Sequence, residues 1–306
     1  MSDYDAVIIG SGPAGLAAGI YLARAKRQVI LLDMESFGGY IKNIEWIENY
    51  PGFSEGVSGA ELASQMVTQA TKYGLQFKLT RVTGIENFSS SRWVACENGE
   101  GFNTKVVIIA GGSCLKKLGV PGEEILQGKG VFHCALCDGG EFTDQVVAVC
   151  GGGDAGVTEA LYMTKLASKV HLVELLPKLT ASAILQERVA ANPKIEVHCG
   201  TRVEAIVGND HVEGISVSMK SSGKTEVLPV DGVLVHIGLD PNTQYLEDSV
   251  PLDNHGQIIV NSQMETEVPC IFAAGDIRSG SPRQIVTAVG DGAIAAIQAE
   301  RLLQTL

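Results

Sequence analysis

Gly10-Ser11-Gly12-Pro13-Ala14-Gly15 directly follows the apolar run Ala6 to Ile9. A strand, a glycine-rich turn and then a helix make the phosphate-binding corner of a dinucleotide fold. The first glycine makes the tight turn, and the second lets the backbone approach a pyrophosphate. The third lets helix and strand pack closely. The helix N-terminus offers free N–H groups and the positive end of its dipole to the anion. A second apolar strand, Val29 to Leu32, ends in Asp33, placed to accept a hydrogen bond from an adenosine ribose.

Working outward, the same unit occurs twice. A shift of 141 positions carries Gly10 onto Gly151, Gly15 onto Gly156 and Asp33 onto Glu174, with no gap. The second fingerprint reads Gly151-Gly152-Gly153-Asp154-Ala155-Gly156, between the strands Val146 to Val149 and Val170 to Val173. A single G-x-G-x-x-G is weak in a chain with 36 glycines. Two of them, each in strand–turn–helix context with an acid ending the second strand, are specific. Between them lies Cys134-Ala135-Leu136-Cys137-Asp138. Two nucleotide units and a dithiol suggest an electron relay that runs from a donor through a flavin and a disulfide to an external substrate.

A length of 306 residues allows about two domains. With 45% hydrophobic and 19% charged residues, the chain can bury substantial cores. No apolar run reaches the ~20 residues needed to span a bilayer. The N-terminus passes from Asp3 and Asp5 straight into a core strand, so no secretory signal and a cytoplasmic location are expected. A net charge of −12 argues against nucleic acid as a partner. The seven cysteines are odd in number and scattered, unlike a secreted disulfide framework. Cys96, Cys150 and Cys199 sit in apolar strands and are expected to be buried thiols. No Cys/His cluster has metal spacing, so no metal is expected.

The first unit covers about residues 4 to 34, and a loop-rich stretch runs from Phe37 to Gly59. Ser58-Gly-Ala-Glu61 is a capping box, which predicts a helix from about Gly59 to Lys72. Short strands follow near 75–79, 82–88 and 92–96, and Val106 to Ala110 reads as a buried strand. The second unit begins after the glycine-rich segment Gly119 to Gly130 and carries its own meander. The strand Val233 to Ile237 breaks at Gly238, and the chain then returns through Ile271 to Asp276 to a long C-terminal helix after Pro282. The simplest account is an α/β protein of two Rossmann-like dinucleotide-binding domains, the second inserted in the first. The first domain takes 1–114 and 241–306, and the second 115–240.

Together these residues resemble the low-molecular-weight thioredoxin reductases over essentially the whole chain. Gly10 to Gly15, Glu48 to Gly52, Cys134 to Gly139, and Phe272 to Asp276 with Arg283-Gln284 carry the likeness. The resemblance implies FAD in the first fingerprint, at Gly10, Gly12, Pro13, Ala14 and Gly15. Asp33 or Glu35 would bind the ribose, with strand position favouring Asp33. Gly39, Tyr40 and Asn49 would lie toward the flavin. Gly275 and Asp276 would meet the ribityl chain, and Arg283, Gln284 and Ile285 would line the isoalloxazine. Cys137 would face the flavin, Cys134 would attack the partner disulfide, and Asp138 would handle the thiol proton. Gly151, Gly153, Gly156 and Glu174 would serve a nicotinamide nucleotide. Thioredoxin or a similar small dithiol protein is the implied substrate and a homodimer the implied assembly, with domain rotation during turnover.

Three stretches depart from that family. NADPH-dependent members carry a His-Arg-Arg cluster after the second strand of the second unit, and here the positions read Glu174-Leu175-Leu176-Pro177-Lys178. A 2′-phosphate beside a carboxylate, with no forked cation, is disfavoured, whereas Glu174 matches a 2′-hydroxyl acceptor. This points away from NADPH to NADH, or to ferredoxin or a deazaflavin as donor. After Gly38-Gly39 come Tyr40 and Trp46 instead of the usual Gln and Thr run; they either stack on a ring or pack under a loop. Asp138-Gly139-Gly140 lacks an aromatic that relatives carry. A dithiol oxidase passing electrons through FAD to oxygen is the alternative enzyme reading, and a flavoprotein sensor a further one.

Overall fold

The computed structural model describes residues 4–219, 223–246 and 249–306, with the backbone alone for Asn98. The chain forms two compact units, Met1–Cys114 with Asp240–Leu306, and Leu115–Leu239.

The first unit opens with strand β1 (Tyr4–Ile9), helix α1 (Pro13–Arg24) and β2 (Val29–Asp33). Helix α2 (Gly59–Lys72) follows, then β3 (Gln76–Leu79), β4 (Val82–Asn87), β5 (Arg92–Cys96) and β6 (Gly101–Ile109). They build one sheet in the order β3-β2-β1-β6-β5-β4. The β1, β2 and β6 side chains Val7, Ile8, Leu31, Leu32, Val107 and Ile108 are wholly buried. A parallel sheet covered on both faces demands such unbroken apolar runs. Each large side chain so buried contributes about 1.5–3 kcal/mol. The Ser58 Oγ accepts from the Glu61 N–H at 3.2 Å and so caps α2. Strand β6 is longer than the apolar run suggested, because Phe102, Asn103 and Thr104 pair with β5 as an antiparallel extension.

Strand β7 (Ser113–Leu115) leads into the second unit. There β8 (Val131–Phe132) and the one-turn helix α3 (Ala135–Asp138) come first. The repeat of the first unit follows as β9 (Val146–Cys150), α4 (Asp154–Met163) and β10 (Lys169–Glu174). Next come α5 (Ala183–Ala190), β11 (Ile195–Cys199), and the meander β12 (Thr201–Gly208), β13 (Val212–Met219) and β14 (Thr225–Pro229). Strand β15 (Gly232–Val235) closes the parallel sheet, whose order is β11-β10-β9-β15-β8. It stops at Val235 rather than Ile237, and the His236 side chain just beyond it bonds the His133 carbonyl. The meander forms a separate three-stranded antiparallel sheet.

Strand β16 (Leu239–Pro241) pairs with β7, so the two connecting segments hydrogen-bond to each other. In the first unit, β17 (Ile271–Ala273) adds to the C-terminal half of β6, and α6 (Ile285–Leu303) packs along α1. Small residues allow the close approach: a Cβ on Gly292 of α6 would stand 2.0 Å from the Ala14 carbonyl oxygen. The architecture is α/β with two Rossmann-like units, the second inserted within the first.

Candidate redox and dinucleotide sites

In the first fingerprint Gly10 has φ +100°, and its strand-end position faces the Ala110 carbonyl. Only glycine adopts that backbone without strain. A Cβ on Gly15 would meet the Gly10 carbonyl oxygen at 1.9 Å, so the turn and α1 must touch there. A Cβ on Gly12, by contrast, would meet nothing within 4 Å. Gly12 caps α1 with no side-chain hydrogen bond, Pro13 is the first helical residue, and no acid lies in the first turn. The helix thus opens onto free space with uncapped N–H groups, a cradle shaped for a phosphate group.

Asp33 closes the same corner. Its Oδ2 accepts from the Ser11 N–H at 2.8 Å and the Ser11 hydroxyl at 2.6 Å, and its Oδ1 accepts from the Glu35 N–H at 3.2 Å. Glu35 itself is exposed, and its carboxylate is outside the cavity that forms here. That cavity, of about 430 Å³, is lined by Gly10, Asp33, Arg81, Asn242 and Tyr245 among others. Its size is in the range of small-molecule and cofactor sites. The Tyr245 hydroxyl is buried without a hydrogen-bond partner, and burial pushes its pKa well up. An orphaned buried hydroxyl costs about 1–3 kcal/mol until a ligand satisfies it. Uncapped helix, open Gly12, fixed acceptor and orphaned donor together fit a bound adenosine dinucleotide.

The remaining residues anticipated around this site come from distant segments. Gly39, at φ +68°, abuts Gly12: a Cβ on it would lie 2.5 Å from the Gly12 Cα. Tyr40 and Trp46 are both exposed, and the Trp46 indole lies against Gly56. The Asn49 amide donates to the Gln284 Oε1 at 3.0 Å, which brings two of the anticipated flavin neighbours together. Gly275 packs on the Ala14 methyl group. Burial raises the Asp276 carboxyl above the usual carboxylate range, while the Ser281 hydroxyl donates to it at 3.1 Å. Arg283 is exposed in a left-handed backbone conformation, φ 57°, immediately before Gln284, which caps α6, and Ile285, its first residue.

Two residues that sequence reading passed over hold this region in place. Arg278 donates to the Asp291 carboxylate at 2.6 and 2.9 Å through two nitrogens. The same carboxylate accepts from the Gly275 N–H at 3.1 Å. The pair is largely buried and pins the Gly275–Asp276 turn to α6. No local spacing marks it, because one partner follows a strand and the other sits on a helix.

The second fingerprint repeats the first. Gly151 has φ +122°, and a Cβ on Gly156 would meet the Gly151 carbonyl oxygen at 2.2 Å. Gly153 caps α4, again without a side-chain hydrogen bond. The Glu174 carboxylate accepts from the Gly152 N–H at 2.5 Å and the Leu176 N–H at 2.7 Å. These contacts are the Asp33 contacts carried over by the same 141 positions. Leu175 and Leu176 beside it are exposed, and neither offers a positive charge.

Cys134 and Cys137 form a disulfide. Strand β8 delivers it, steadied by Phe132 stacked on Phe142 at 4.6 Å between ring centres. Two histidines fix the backbone just before it. His236 Nε2 donates to the His133 carbonyl at 2.9 Å, and His133 Nδ1 lies 3.3 Å from the Val235 carbonyl. A carbonyl only accepts, so each ring nitrogen carries its proton there. Burial keeps His236 below the usual imidazole range. The Glu159 carboxylate of α4 accepts from the Ala135 N–H at 2.6 Å and caps the one-turn helix. Sequence reading missed Glu159, whose role depends on how α4 packs. The Cys137 N–H donates to Cys134 Sγ at 3.1 Å. Cys137 and Asp138 are exposed and Cys134 is half-buried.

Of the other thiols, Cys96 and Cys150 are buried, and burial pushes Cys150 up to about 12. Cys199 is only partly buried, contrary to expectation, because β11 is the edge strand of its sheet. Where no metal ligands were anticipated, His171, Glu196 and His198 lie together. They sit on adjacent strands, so linear spacing did not show them.

A family model described as pyridine nucleotide-disulphide oxidoreductase matches residues 4–292. The thioredoxin reductase of Peptoclostridium litorale is 40% identical over 309 residues, which cover 99% of this chain and 98% of that protein. The crystal structure of Lactococcus lactis thioredoxin reductase superposes with a TM-score of 0.97 at 38% identity, covering 99% of this chain and all of that one. A ferredoxin-flavin thioredoxin reductase from Clostridium acetobutylicum is 31% identical with a TM-score of 0.54, over 99% of each chain. Among the described residues no helix is long and apolar enough to cross a membrane. With twin fingerprints, a Cys-x-x-Cys disulfide and full-length similarity of this kind, the chain is an oxidoreductase that belongs to the pyridine nucleotide-disulphide oxidoreductase family, in its low-molecular-weight thioredoxin reductase class.

Proposed function

We propose that the chain holds FAD in its first unit and uses Cys134 and Cys137 to reduce thioredoxin or a similar small dithiol protein, with NADH as donor. One observation carries the choice of donor: the Glu174 carboxylate is fixed by two backbone N–H groups as Asp33 is in the first unit. An acceptor held in that way suits a ribose hydroxyl and repels a 2′-phosphate. No cation stands at Leu175 or Leu176 to offset the repulsion.

Bound FAD supplies two-electron transfer between a hydride donor and the disulfide. Gly10 to Gly15 and the α1 N-terminus would hold its pyrophosphate, and Asp33 its ribose. Tyr245 would give its orphaned hydroxyl a partner on the adenosine side, with Asp276 and the Asn49–Gln284 pair toward the other end. Reduction of the Cys134–Cys137 bond takes two electrons and two protons and leaves two thiols. The Cys137 N–H aimed at Cys134 Sγ favours a thiolate at Cys134. That hydrogen bond supports Cys134 as the attacking sulfur, the role the family resemblance implies for it. Its thiolate displaces one sulfur of the partner disulfide and forms a mixed disulfide. Cys137 then attacks Cys134, which restores the intramolecular bond and releases the partner as a dithiol. Asp138, exposed at the end of α3, would accept and return the Cys137 proton.

The test is a trap. Cys137→Ser incubated with oxidised thioredoxin should accumulate a covalent one-to-one complex that dithiothreitol releases, and Cys134→Ser should form none. Both variants should retain FAD and lose turnover. A complex formed only by Cys134→Ser would reverse the two roles, and turnover by either variant would overturn the reading.

The exposed Leu175 and Leu176 support a second reading of the donor, in which an iron–sulfur protein takes the place of the nucleotide. Photoreduced ferredoxin that bleaches the flavin under anaerobic conditions where NADH does not would establish it. Oxygen uptake with a small dithiol and no nucleotide would instead identify an oxidase.

A further inference from the structure

We propose that His171, Glu196 and His198 form a divalent metal site on the two outer strands of the second unit's parallel sheet, with zinc the ion it fits. In the β10–β11 ladder His171 pairs with Glu196, and Val173 with His198. Alternate residues of a strand share one face, so all three side chains project from the same side. His171 is buried, His198 nearly so and Glu196 exposed, which leaves a route from solvent along the carboxylate.

The spacing fits tetrahedral coordination. Bonds of about 2.0–2.1 Å place neighbouring ligand atoms of a tetrahedral zinc about 3.4 Å apart. Here His171 Nδ1 lies 2.9 Å from His198 Nε2. His198 Nε2 lies 3.6 Å from Glu196 Oε1, and His171 Nδ1 lies 3.9 Å from Glu196 Oε2. Adjustments of about half an ångström close the triangle around an ion. The two ring nitrogens share one proton in the absence of metal, and an ion would displace it. Lys169 sits 2.5 Å from Glu196 Oε2 and supplies the positive charge that an ion would otherwise bring. Two imidazoles and a carboxylate are a borderline donor set suited to zinc, and three protein ligands leave a fourth position for water. The site would clip the edge strand β11 to β10, whose last residue is Glu174.

Cysteines must be kept out of the measurement. Full-length protein with its disulfide intact and its accessible free thiols alkylated is stripped with chelator and dialysed against zinc. One zinc per chain is expected by elemental analysis. His198→Ala and Glu196→Gln should each weaken uptake by at least about tenfold, the loss that follows removal of mere outer partners. Glu196 is exposed, so Glu196→Gln tests the ligand without disturbing the core. No stoichiometric uptake by the parent protein, or uptake unchanged in both variants, would overturn the site.

Discussion

The two glycine-rich turns of this chain are built alike and supported differently. Each has a first glycine at positive φ, a third glycine against the carbonyl of the first, and an acid held by the N–H of the turn's second residue. The first turn adds the Ser11 hydroxyl to that clamp and is enclosed by segments far along the chain. The Gly38 N–H donates to the Ser11 carbonyl, Gly39 abuts Gly12, and Gly275 and Gly292 pack on Ala14. The second turn is braced by neighbours in its own unit: Thr180 and Ala181 donate to the Gly152 carbonyl, and the Ser182 N–H donates to Asp154. Asp154 also places an acid at the first helical position, where the first unit has Pro13. One motif thus serves two duties. A turn clasped by the C-terminal helix suits a cofactor that stays, and a turn with a like charge, Asp154, beside the phosphate position suits a nucleotide that exchanges.

The largest test of this contrast places a charge in each cradle. Gly12→Asp and Gly153→Asp meet little steric resistance, since Cβ has nothing nearer than 3.8 Å at either site. A carboxylate at 4 Å from a phosphate charge costs about 4 kcal/mol at an effective dielectric of 20. Gly12→Asp should therefore be purified colourless. Gly153→Asp should stay yellow and lose NADH-driven flavin reduction by roughly a thousandfold. Equal flavin loss in both would erase the distinction between the turns.

Next in size is the Arg278–Asp291 brace of the first unit. Asp291→Ala leaves Arg278 largely buried without its partner, at a cost of about 3–5 kcal/mol. Melting temperature and flavin content should fall together. If flavin stays while the melting temperature falls, the pair braces the fold and not the site.

Tyr245→Phe sharpens the comparison more gently, because it should move two readouts in opposite directions. Removing an unpartnered buried hydroxyl should stabilise the apoprotein by about 1 kcal/mol and weaken FAD binding by a similar amount. Loss of both stability and affinity would mean the hydroxyl finds a protein partner in solution.

The smallest effect concerns Asp276, whose carboxyl burial raises above its ordinary value. A carboxyl of that kind binds its proton more tightly when folded. Its contribution to stability is fully present below the unfolded pKa, about 3.9, and is lost as the pH rises through the folded value. Asp276→Asn apoprotein should melt higher than the parent at pH 7, and the gap should close as the pH falls through the raised folded value toward about 4. A constant gap across that range would remove the carboxyl's titration as its cause.

What the sequence displayed and what it hid divide along a physical line. The fold class was legible because Gly10 to Gly15 and Gly151 to Gly156 are local devices whose geometry depends on near neighbours. The same holds for the α2 cap at Ser58. The extra length of β6 was hidden because Asn103 and Thr104 are polar and become strand only through pairing with β5. Cys199 read as buried because its strand is apolar, but strand order put it at an edge. Arg278 with Asp291, Glu159 with the Ala135 N–H, and His171 with Glu196 and His198 arise from packing or ladder register. No spacing rule along the chain reports contacts of that kind.

Glu174 should repeat for a nicotinamide nucleotide what Asp33 does in the first unit. The most direct measurement is the anaerobic visible spectrum of the FAD-loaded protein during separate titrations with NADH and NADPH, with dithionite as the reference for full reduction. Rapid flavin bleaching by NADH and little by NADPH are expected. Equal or faster bleaching by NADPH would contradict this role for Glu174, and bleaching by dithionite alone would show that the second fingerprint does not deliver hydride.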